Sequence, residues 1–265
     1  MTALVLAAGR GQRLATSDAS RLATPAQRQA AARGLKAMMP VGYDGRRLVD
    51  HAIARLAEAG CTDIALVVPP DHDDLMAHLA ARPRADVRVR LAVQPVPDGT
   101  AGAVAAAAAA AGDGDCLVVN GDNLYPVAAI RTLLALDGPG LAGFTRESLE
   151  HDSGYAPERI AAFATVAHHD GWVTSLEEKP PVARLGPDTL VSMNLWRLSP
   201  EVRRACAEVP PSSRGERELP AAVMLAIARG VRVRVVPVEG RVLDLTTAAD
   251  VAIVSAALDA PPAPR

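Results

Sequence analysis

A loop that follows the first predicted strand combines glycine with arginine. Gly9 and Gly11 come directly after the apolar run Ala3–Ala8, and Arg10 and Arg13 flank Gly11. Glycine lets the main chain approach a ligand closely, and main-chain amides together with guanidinium groups can bind an anion. The spacing fits neither a dinucleotide loop, which has a third glycine, nor a Walker loop, which has Gly-Lys-Ser/Thr. The loop by itself predicts either a phosphate cradle or a tight turn with solvated arginines.

Two aspartates stand at the ends of predicted strands in opposite halves of the chain. Asp122 closes the strand Cys116–Val119, and Asp244 follows Val242 and Leu243. Two carboxylates that converge from separate strands can hold a hard divalent cation against phosphate oxygens, and Mg²⁺ needs only one or two such ligands. The pattern allows a Mg²⁺ site made by both aspartates. The alternatives are a turn residue for Asp122 and the start of a helix for Asp244.

Six short motifs in a fixed order resemble the sugar-1-phosphate nucleotidyltransferases, also called NDP-sugar pyrophosphorylases. In chain order they are Gly9-x-Gly11-x-Arg13-Leu14, Lys36 before Met39-Pro40-Val41, Gln94 ahead of Gly99-Thr100-Ala101-Gly102-Ala103, Gly121-Asp122, Glu178-Lys179-Pro180, and Asp244. The likeness spans most of the chain and is nearest to the glucose-1-phosphate thymidylyltransferases and uridylyltransferases. It implies a reaction in which an NTP and a sugar 1-phosphate give an NDP-sugar and pyrophosphate.

The implied chemistry needs no covalent enzyme intermediate, because an oxygen of the sugar phosphate attacks the α-phosphorus of the nucleotide in line. Both reactants are anions, and at about 4 Å and an effective dielectric constant near 20 a pair of unit charges repels by ~4 kcal/mol. The protein must therefore align the reactants and offset their charge. The resemblance assigns Arg13, Lys36 and Asp122 to catalysis, and it assigns Asp122 and Asp244 to Mg²⁺.

Lysine is rare in this chain. Lys36 and Lys179 are the only lysines among 28 Lys and Arg residues, and both stand in the motifs. A compact ammonium suits oxygens that move during a reaction, whereas arginine offers a forked, planar contact. The composition therefore indicates that the ammonium itself matters at both positions. The alternative for Lys36 is a solvated loop lysine.

The resemblance also assigns the substrate contacts. For the nucleotide these are Leu6, Ala8, Gly9, Gly11, Gln94, Gly99 and Thr100. For the sugar phosphate they are Asn123, Glu178, Lys179 and Asn194. Gln94 can pair both edges of its amide with a pyrimidine base, and a surface salt bridge is the alternative for Glu178. The stretch Asn-Gly-Asp-Asn at 120–123 favours dTTP or UTP as the nucleotide.

The chain departs from the family pattern at three single positions. Gln12 stands where threonine is usual, and Leu35 stands where proline is usual. Ala164 occupies a place where the sugar-contacting strand commonly has glycine. The last difference leaves the identity of the sugar open.

A polar segment, residues 15–34, lengthens the usual gap between the glycine loop and Lys36. Compact α/β units have short connections at such a place, so we interpret this segment as an insertion. Thr24 and Pro25 are a good N-cap and first-turn pair, which predicts a short helix from Pro25 to Arg33. Because the segment carries three arginines, we expect it to form a lid or an interface over the phosphate end.

Two other functions remain open at this point. A cytidylyl- or guanylyl-type nucleotidyltransferase that acts on another phosphorylated acceptor shares the opening loop and a lysine. The Glu178-Lys179-Pro180 motif and the 99–103 stretch favour a sugar instead. A non-catalytic subunit that senses a nucleotide sugar would have lost a metal or phosphate residue, whereas every charged residue of the motifs is present.

These residues need a scaffold, and the hydrophobic pattern predicts one. Through the first half, short apolar strands alternate with helical stretches, which is typical of a parallel sheet covered on both faces. Among the elements of the first half we expect a helix that ends at Gly60, a strand Asp63–Val68 and a helix 100–111. The second half is richer in strands, and one of them is expected over Ile160–Val166. We expect one α/β domain over residues 1–258, a Rossmann-like three-layer α/β/α sandwich with a mixed, mostly parallel sheet of the nucleotide-diphospho-sugar transferase type. A disordered tail, 259–265, is expected to follow.

The composition argues against several classes of partner. A formal net charge of −2 and 3% aromatic residues disfavour nucleic-acid binding. The longest apolar run, Ala103–Ala111, is shorter than the ~20 residues that span a bilayer, and no basic region precedes the first strand. Three dispersed cysteines without Cys-x-x-Cys spacing are typical of a reduced cytoplasmic protein. We expect no nucleic-acid or membrane partner, and the resemblance is compatible with a homo-oligomer.

Overall fold

The computed structural model describes residues 1–42 and 44–259. The strands are β1 (Thr2–Leu6), β2 (Asp63–Val68), β3 (Arg88–Val93), β4 (Cys116–Asn120), β5 (Asn123–Leu124), β6 (Gly140–Thr145), β7 (Ala164–His169), β8 (Trp172–Glu177), β9 (Leu190–Leu198), β10 (Arg234–Val238) and β11 (Leu243–Asp244). The α-helices are α1 (Gln12–Ala15), α2 (Pro25–Ala32), α3 (Leu48–Ala59), α4 (Asp73–Ala81), α5 (Thr100–Ala106), α6 (Ala108–Ala111), α7 (Val127–Leu134), α8 (Arg146–His151), α9 (Pro157–Ile160), α10 (Pro200–Glu208), α11 (Leu219–Ala228) and α12 (Ala248–Asp259). Short 3₁₀ turns cover Ala19–Arg21, Lys36–Met38 and Val182–Arg184.

Nine strands form one mixed sheet in the order β3-β2-β1-β4-β9-β6-β10-β8-β7. The first four strands in this order are parallel neighbours, and β10 is parallel to β6. Strands β8 and β9 run antiparallel to each of their neighbours. The first residues of β9 also pair with β7, so the last strands of the sheet curl back toward β9. This arrangement confirms the predicted α/β class and the mixed sheet.

Side chains alternate between two apolar layers, one on each face of the sheet. In β1, Ala3 and Val5 belong to a cluster that includes α3 and α7, while Leu4 belongs to a second cluster with α5, α10 and α11. Because successive strand residues point to opposite faces, one strand supplies both clusters. The three layers follow directly from this alternation.

Some element boundaries agree with those expected from the sequence, and others differ. Strand β2 has the expected bounds, and α3 ends before Gly60, whose φ of 108° suits the left-handed C-cap position. The expected helix 100–111 is instead two helices that meet at Ala107. The prediction that a strand begins at Ile160 is wrong, since Ile160 ends α9 and β7 begins at Ala164. Pro157 at the first turn of α9 favours the helical start, because its fixed φ suits a helix.

The inserted segment 15–34 is tied into the body of the protein. Thr24 caps α2 by accepting the amide of Gln27 at 3.1 Å, and the Gln27 side chain accepts the Thr24 amide at 3.2 Å. This reciprocal pair is a capping box, and it confirms the expected short helix. The hydroxyl of Ser17 accepts the Ala248 amide at the start of α12 at 2.9 Å. The segment is therefore anchored to the last helix, and its role as a lid or an interface stays a prediction.

The expected C-terminal tail falls only partly within the described residues. Asp259 is the last residue of α12, and the rest of the expected disordered tail, 260–265, lies outside the described residues. Within the described residues, no helix combines the length and the hydropathy that a membrane span requires. The division into one domain and a tail stays a prediction.

Candidate active site

The glycine loop leaves β1 at the carboxyl edge of the sheet. The Ala7 amide donates to the Val67 carbonyl at 2.8 Å, and the Gly121 amide donates to the Leu6 carbonyl at 2.9 Å. A Cβ on Gly121 would lie 2.8 Å from that carbonyl oxygen, which is too close for any side chain. Glycine at position 121 therefore allows the loop after β1 and the loop after β4 to touch. This contact brings Asp122 next to the glycine loop.

A backbone contact joins the glycine loop to the end of the inserted segment. Gly11 and Gly34 have φ values of 53° and 65°, a region in which side chains are strained. A Cβ on Gly11 would overlap the Gly34 carbonyl, and a Cβ on Gly34 would overlap the Arg10 carbonyl. The role of Gly34 was not predicted, because nothing in a single sequence marks its contact with a loop more than twenty residues earlier. The contact places Lys36, two residues farther on, beside the cradle.

The candidate catalytic lysine already has a partner. The Nζ of Lys36 lies 2.7 Å from Oδ2 of Asp122, and their side chains are 15% and 27% exposed. Arg13, by contrast, is exposed and has no carboxylate partner within the described residues, and the same is true of Arg10. An added Cβ on Gly9 would meet no atom within 4 Å. The glycine loop therefore offers an accessible main chain and, within the described residues, two guanidinium groups without a carboxylate partner. The ammonium of Lys36 beside it already pairs with a carboxylate.

Asp122 and Asp244 converge through a two-stranded ribbon that the sequence did not reveal. Asp244 of β11 pairs with Asn123 of β5, and the Leu245 amide donates to the Asp122 carbonyl at 2.9 Å. The side-chain nitrogen of Asn123, when it faces them, donates to Oδ1 of Asp122 at 2.9 Å and to Oδ1 of Asp244 at 3.2 Å. One amide thus lies between the two carboxylates. Strands of two residues carry no periodic pattern, so the sequence alone could not show this pairing.

The two neighbouring carboxylates carry like charge, which a bound cation would offset. Burial and, second, the negative charge of Asp122 raise the pKa of Asp244. Within residues 1–42 and 44–259, no group of three or more His, Cys, Asp or Glu side chains could hold a metal by itself. Mg²⁺ is suited to this donor set, because it takes one or two carboxylates and completes its shell with phosphate oxygens and water. The residues present therefore fit a Mg²⁺ ion that binds together with a phosphate substrate.

The expected base contact, Gln94, is buried and partly committed to the protein. Its Nε2 donates to Oδ1 of Asp98 at 2.9 Å and to the Gly99 carbonyl at 3.1 Å. Both hydrogens of the amide nitrogen are used within the protein, and pairing of both amide edges with a base stays a prediction. The oxygen Oε1 of Gln94 remains as an acceptor.

The loop at Gly99 is braced by a segment that lies far along the chain. Gly99 has a φ of 103°, and a Cβ there would overlap the Arg217 carbonyl. Thr100, an expected nucleotide contact, accepts the Leu219 amide on Oγ1 at 2.9 Å. The Arg217 amide donates to the Asp98 carbonyl at 2.6 Å. Residues 212–219, which the sequence analysis did not single out, therefore pack against the Gly99 loop, the expected contact of the base.

The same segment reaches the expected sugar end. Arg214 pairs with Glu218 at 2.7 Å, and the charge of Lys179 helps to lower the pKa of Glu218. Glu178 is exposed, yet desolvation by the surrounding protein and, second, the charge of Glu218 raise its pKa. Arg214 and Glu218 therefore join the Glu178-Lys179 motif in one charged cluster. The only sequence signal for them is the run of alternating charge at 214–218.

Two asparagines that were expected to contact the sugar phosphate are engaged within the protein. Asn123 is 3% exposed and lies between the two carboxylates. Asn194 has a φ of 59°, and its Oδ1 accepts the indole N–H of Trp196 at 3.2 Å. The pairing of β9 with β6 also shifts register near this residue. Asparagine tolerates a positive φ better than most residues, so its presence in the strand has a structural reason that involves no substrate. A role in sugar binding stays a prediction for both.

Comparison of the whole sequence gives consistent matches. A family model described as nucleotidyl transferase matches residues 2–241. A glucose-1-phosphate thymidylyltransferase from Streptomyces antibioticus is 28% identical over 94% of this chain and 64% of the relative. The chain thus spans less than two thirds of that relative's length. The UTP–glucose-1-phosphate uridylyltransferase AglF from Haloferax volcanii is 27% identical over 92% of this chain and 91% of the relative.

Solved structures share the fold. A UDP-glucose pyrophosphorylase complexed with UDP-glucose superposes with a TM-score of 0.74 at 18% identity, and it covers 97% of both chains. The inositol-1-phosphate CTP transferase from T. maritima gives a TM-score of 0.70 at 20% identity, over 94% of this chain and 90% of that one. At these identities the likeness is one of fold, and it confirms the predicted sandwich with its mixed sheet.

Proposed function

The chain belongs to the nucleotidyl transferase family, and from this membership we propose that it condenses an NTP with a sugar 1-phosphate to give an NDP-sugar and pyrophosphate. One observation carries the proposal. Lys36, Asp122 and Asp244 meet beside the glycine loop at the carboxyl edge of the sheet, where open α/β sheets bind their ligands. The two named relatives that act on glucose 1-phosphate support the choice of a sugar phosphate as acceptor.

The residues divide the work of the reaction as follows. Main-chain amides near Gly9 and Gly11 face the triphosphate, and Arg13 adds a forked cationic contact. Lys36 stabilises the charge that moves onto the leaving pyrophosphate, because a compact ammonium on a flexible stem can follow the moving oxygens. Asp122 and Asp244 would hold Mg²⁺, which when bound neutralises phosphate charge. No protein nucleophile is required, since the sugar phosphate oxygen itself attacks.

The nucleotide is dTTP or UTP. The Oε1 of Gln94 can accept the N3–H of thymine or uracil, while Gly99 brings main chain to the same base. We assign the contact with the sugar phosphate to Glu178, Lys179 and Arg214, which share one charged cluster with Glu218. A cytoplasmic location accords with these substrates, because nucleotides and sugar phosphates are made and used there.

Pyrophosphate release tests the proposal. The purified protein is incubated with Mg²⁺, each of five nucleotides and a panel of sugar 1-phosphates, with inositol 1-phosphate as a non-sugar acceptor. We expect release only when a nucleotide and a sugar phosphate are both present, and fastest with dTTP or UTP. Release with inositol phosphate and CTP alone would move the chain to the cytidylyl class. Tight binding of nucleotide sugars with no release from any pair would favour a sensing subunit.

A further inference from the structure

Arg159 is a partly buried contact of the carboxylate pair that no motif marks. It lies in α9, and its Nη2 donates to Oδ2 of Asp244 at 2.8 Å and to the Asp244 carbonyl at 2.9 Å. Its Nη1 donates to Oδ1 of Asp250 at 2.6 Å. The side chains of both aspartates are only 6% exposed. One guanidinium thus ties the candidate metal carboxylate to the first turn of α12.

These contacts give the two carboxylate oxygens of Asp244 different partners. Oδ2 accepts from Arg159 and from the Thr246 hydroxyl at 2.9 Å, whereas Oδ1 faces the Asn123 amide, which also contacts Asp122. A carboxylate that rotates freely would present either oxygen, and each hydrogen bond to Oδ2 opposes that rotation. The guanidinium suits this task, because its planar fork can bond two acceptors at once.

Arg159 is itself held on its other side. Its guanidinium carbon lies 4.6 Å from the centre of the Tyr155 ring, and the Tyr155 hydroxyl donates to the Val242 carbonyl at 3.0 Å. Asp250 is fixed in turn, since it accepts the Thr246 and Thr247 amides at 3.0 and 2.7 Å. Arg159 is therefore held by the Tyr155 ring on one side and by Asp250 on the other. Such outer partners usually determine how well a ligand group binds its metal.

We propose that Arg159 is the positioning residue of the carboxylate pair: it holds Oδ2 of Asp244 so that Oδ1 faces the Asn123 amide beside Asp122, and it thereby sets the affinity for a divalent cation. The inference deepens the proposed function and rests on it for the identity of the reaction. It does not depend on that reaction for its test, because binding of Mn²⁺ alone can be measured.

The test uses Arg159→Lys in the full chain. Lysine keeps the positive charge but has one nitrogen, which cannot bond Asp244 and Asp250 with the same geometry. We expect the dissociation constant for Mn²⁺, measured by electron paramagnetic resonance of the free ion, to rise ~10-fold or more, as for other outer partners of metal ligands. Nucleotide binding without metal should stay unchanged. In turnover assays the Mg²⁺ requirement should rise in parallel, with kcat largely restored at saturating Mg²⁺.

Arg197→Lys is the matched control. Arg197 is also partly buried, with a side chain 14% exposed against 29% for Arg159, and it pairs with Asp115 at 2.8 Å at the opposite edge of the sheet. A purely structural role for Arg159 predicts that both variants lose thermal stability and that neither changes Mn²⁺ affinity. Mn²⁺ affinity of Arg159→Lys within twofold of wild type overturns the proposal, and so does equal weakening in Arg197→Lys. It also fails if Asp244→Asn leaves Mn²⁺ binding intact. Absence of pyrophosphate release, with Mn²⁺ binding lost in Arg159→Lys, refutes only the proposed reaction.

Discussion

At the edge of the sheet where β1, β2 and β4 begin, Asp63 and Asp115 each pair with arginine. Asp63 accepts from Arg88 at 3.2 Å and from Arg90 at 2.7 Å, and Asp115 pairs with Arg197 at 2.8 Å. Where the same strands end, the carboxylates of Asp122 and Asp244 are brought together around a single amide. Aspartates pair with a cation at both edges, since Asp122 pairs with Lys36 and Asp244 with Arg159, but only at the second edge do two carboxylates lie next to each other.

The pKa shifts make the difference concrete. Burial alone would raise the pKa of Asp63, but hydrogen bonds from Arg90, Arg88 and Thr2 lower it to about 2. At the opposite edge, burial and the charge of Asp122 raise the pKa of Asp244 despite its bonds to Arg159. A lowered pKa marks a carboxylate that stabilises the fold, and a raised one marks a carboxylate that the fold holds at a cost. Such cost is expected where a ligand is to bind.

The largest effect is expected from Asp122→Asn. The amide keeps the size of the side chain and removes the charge, so we expect kcat to fall ~10³-fold, the scale seen when one electrostatic contact to the reacting groups is lost. The thermal midpoint should not fall, because repulsion of Asp244 is relieved. Pyrophosphate release and thermal unfolding measure the two quantities. Asp113→Asn, in an exposed turn at the other edge, is the control. Near-normal turnover in Asp122→Asn would remove the metal role and with it the contrast between the edges.

Lys36→Ala should lower kcat by ~10²-fold or more, because the charge on the leaving pyrophosphate loses a cation. The same variant should bind Mn²⁺ several-fold more tightly when no nucleotide is present. The reason is that Nζ of Lys36, 2.7 Å from Asp122, competes with a cation for that carboxylate. Electron paramagnetic resonance of free Mn²⁺ checks the second effect. Weaker Mn²⁺ binding in Lys36→Ala would show that the lysine supports the carboxylate pair and does not compete with the metal.

The Lys179→Ala variant tests whether binding of the sugar phosphate depends on a cation, as we propose for the triphosphate. Lys179 is exposed beside Glu178, with Arg214 and Glu218 in the same cluster. Loss of one exposed cation should raise the KM for sugar phosphate ~10-fold and leave the KM for the nucleotide within about twofold, since a charge-assisted contact contributes ~1.5–3 kcal/mol. Arg184→Ala, which removes an exposed arginine paired with Glu177, is the control. A larger change in the nucleotide KM would contradict the placement of Lys179.

The smallest effect is expected from Asp63→Asn, and it should fall on stability alone. The variant should lose about 1 kcal/mol of unfolding free energy at pH 7, because partly exposed ion pairs are screened by water. Since the folded pKa of Asp63 lies below its ordinary value of 3.8, this contribution is complete above that value and is lost as the pH falls toward about 2. Urea unfolding of both proteins between pH 7 and pH 3 measures the difference, which should shrink with acid. Turnover should not change. A constant difference across this pH range would show that packing, and not charge, is responsible.

The sequence was sufficient for features that are local or periodic. The bounds of β2 and the end of α3 at Gly60 follow from short stretches whose residues interact mainly with near neighbours. The same holds for the Thr24 capping box, whose two bonds join residues three apart. The start of β7 was misplaced because apolar residues near 160 suit a helix as well as a strand, and only packing decides between them.

The candidate site was less accessible to sequence reasoning. The types and order of its charged residues were visible, since Asp122, Lys36 and Asp244 stand in recognisable motifs. The contacts of Gly34, Arg159 and residues 212–219 were not visible. Each depends on a partner that is remote in the chain, and a single sequence carries no record of such pairs.

The amino-acid sequence by itself determined most of the longer elements and which side chains carry charges suited to phosphate, because strand periodicity, caps and residue type act over a few positions. The tertiary structure alone decided that Asp244 presents Oδ1 to the Asn123 amide beside Asp122 while Arg159 holds Oδ2. Orientation of a carboxylate depends on distances between atoms from different elements, and those distances exist only once the elements have packed.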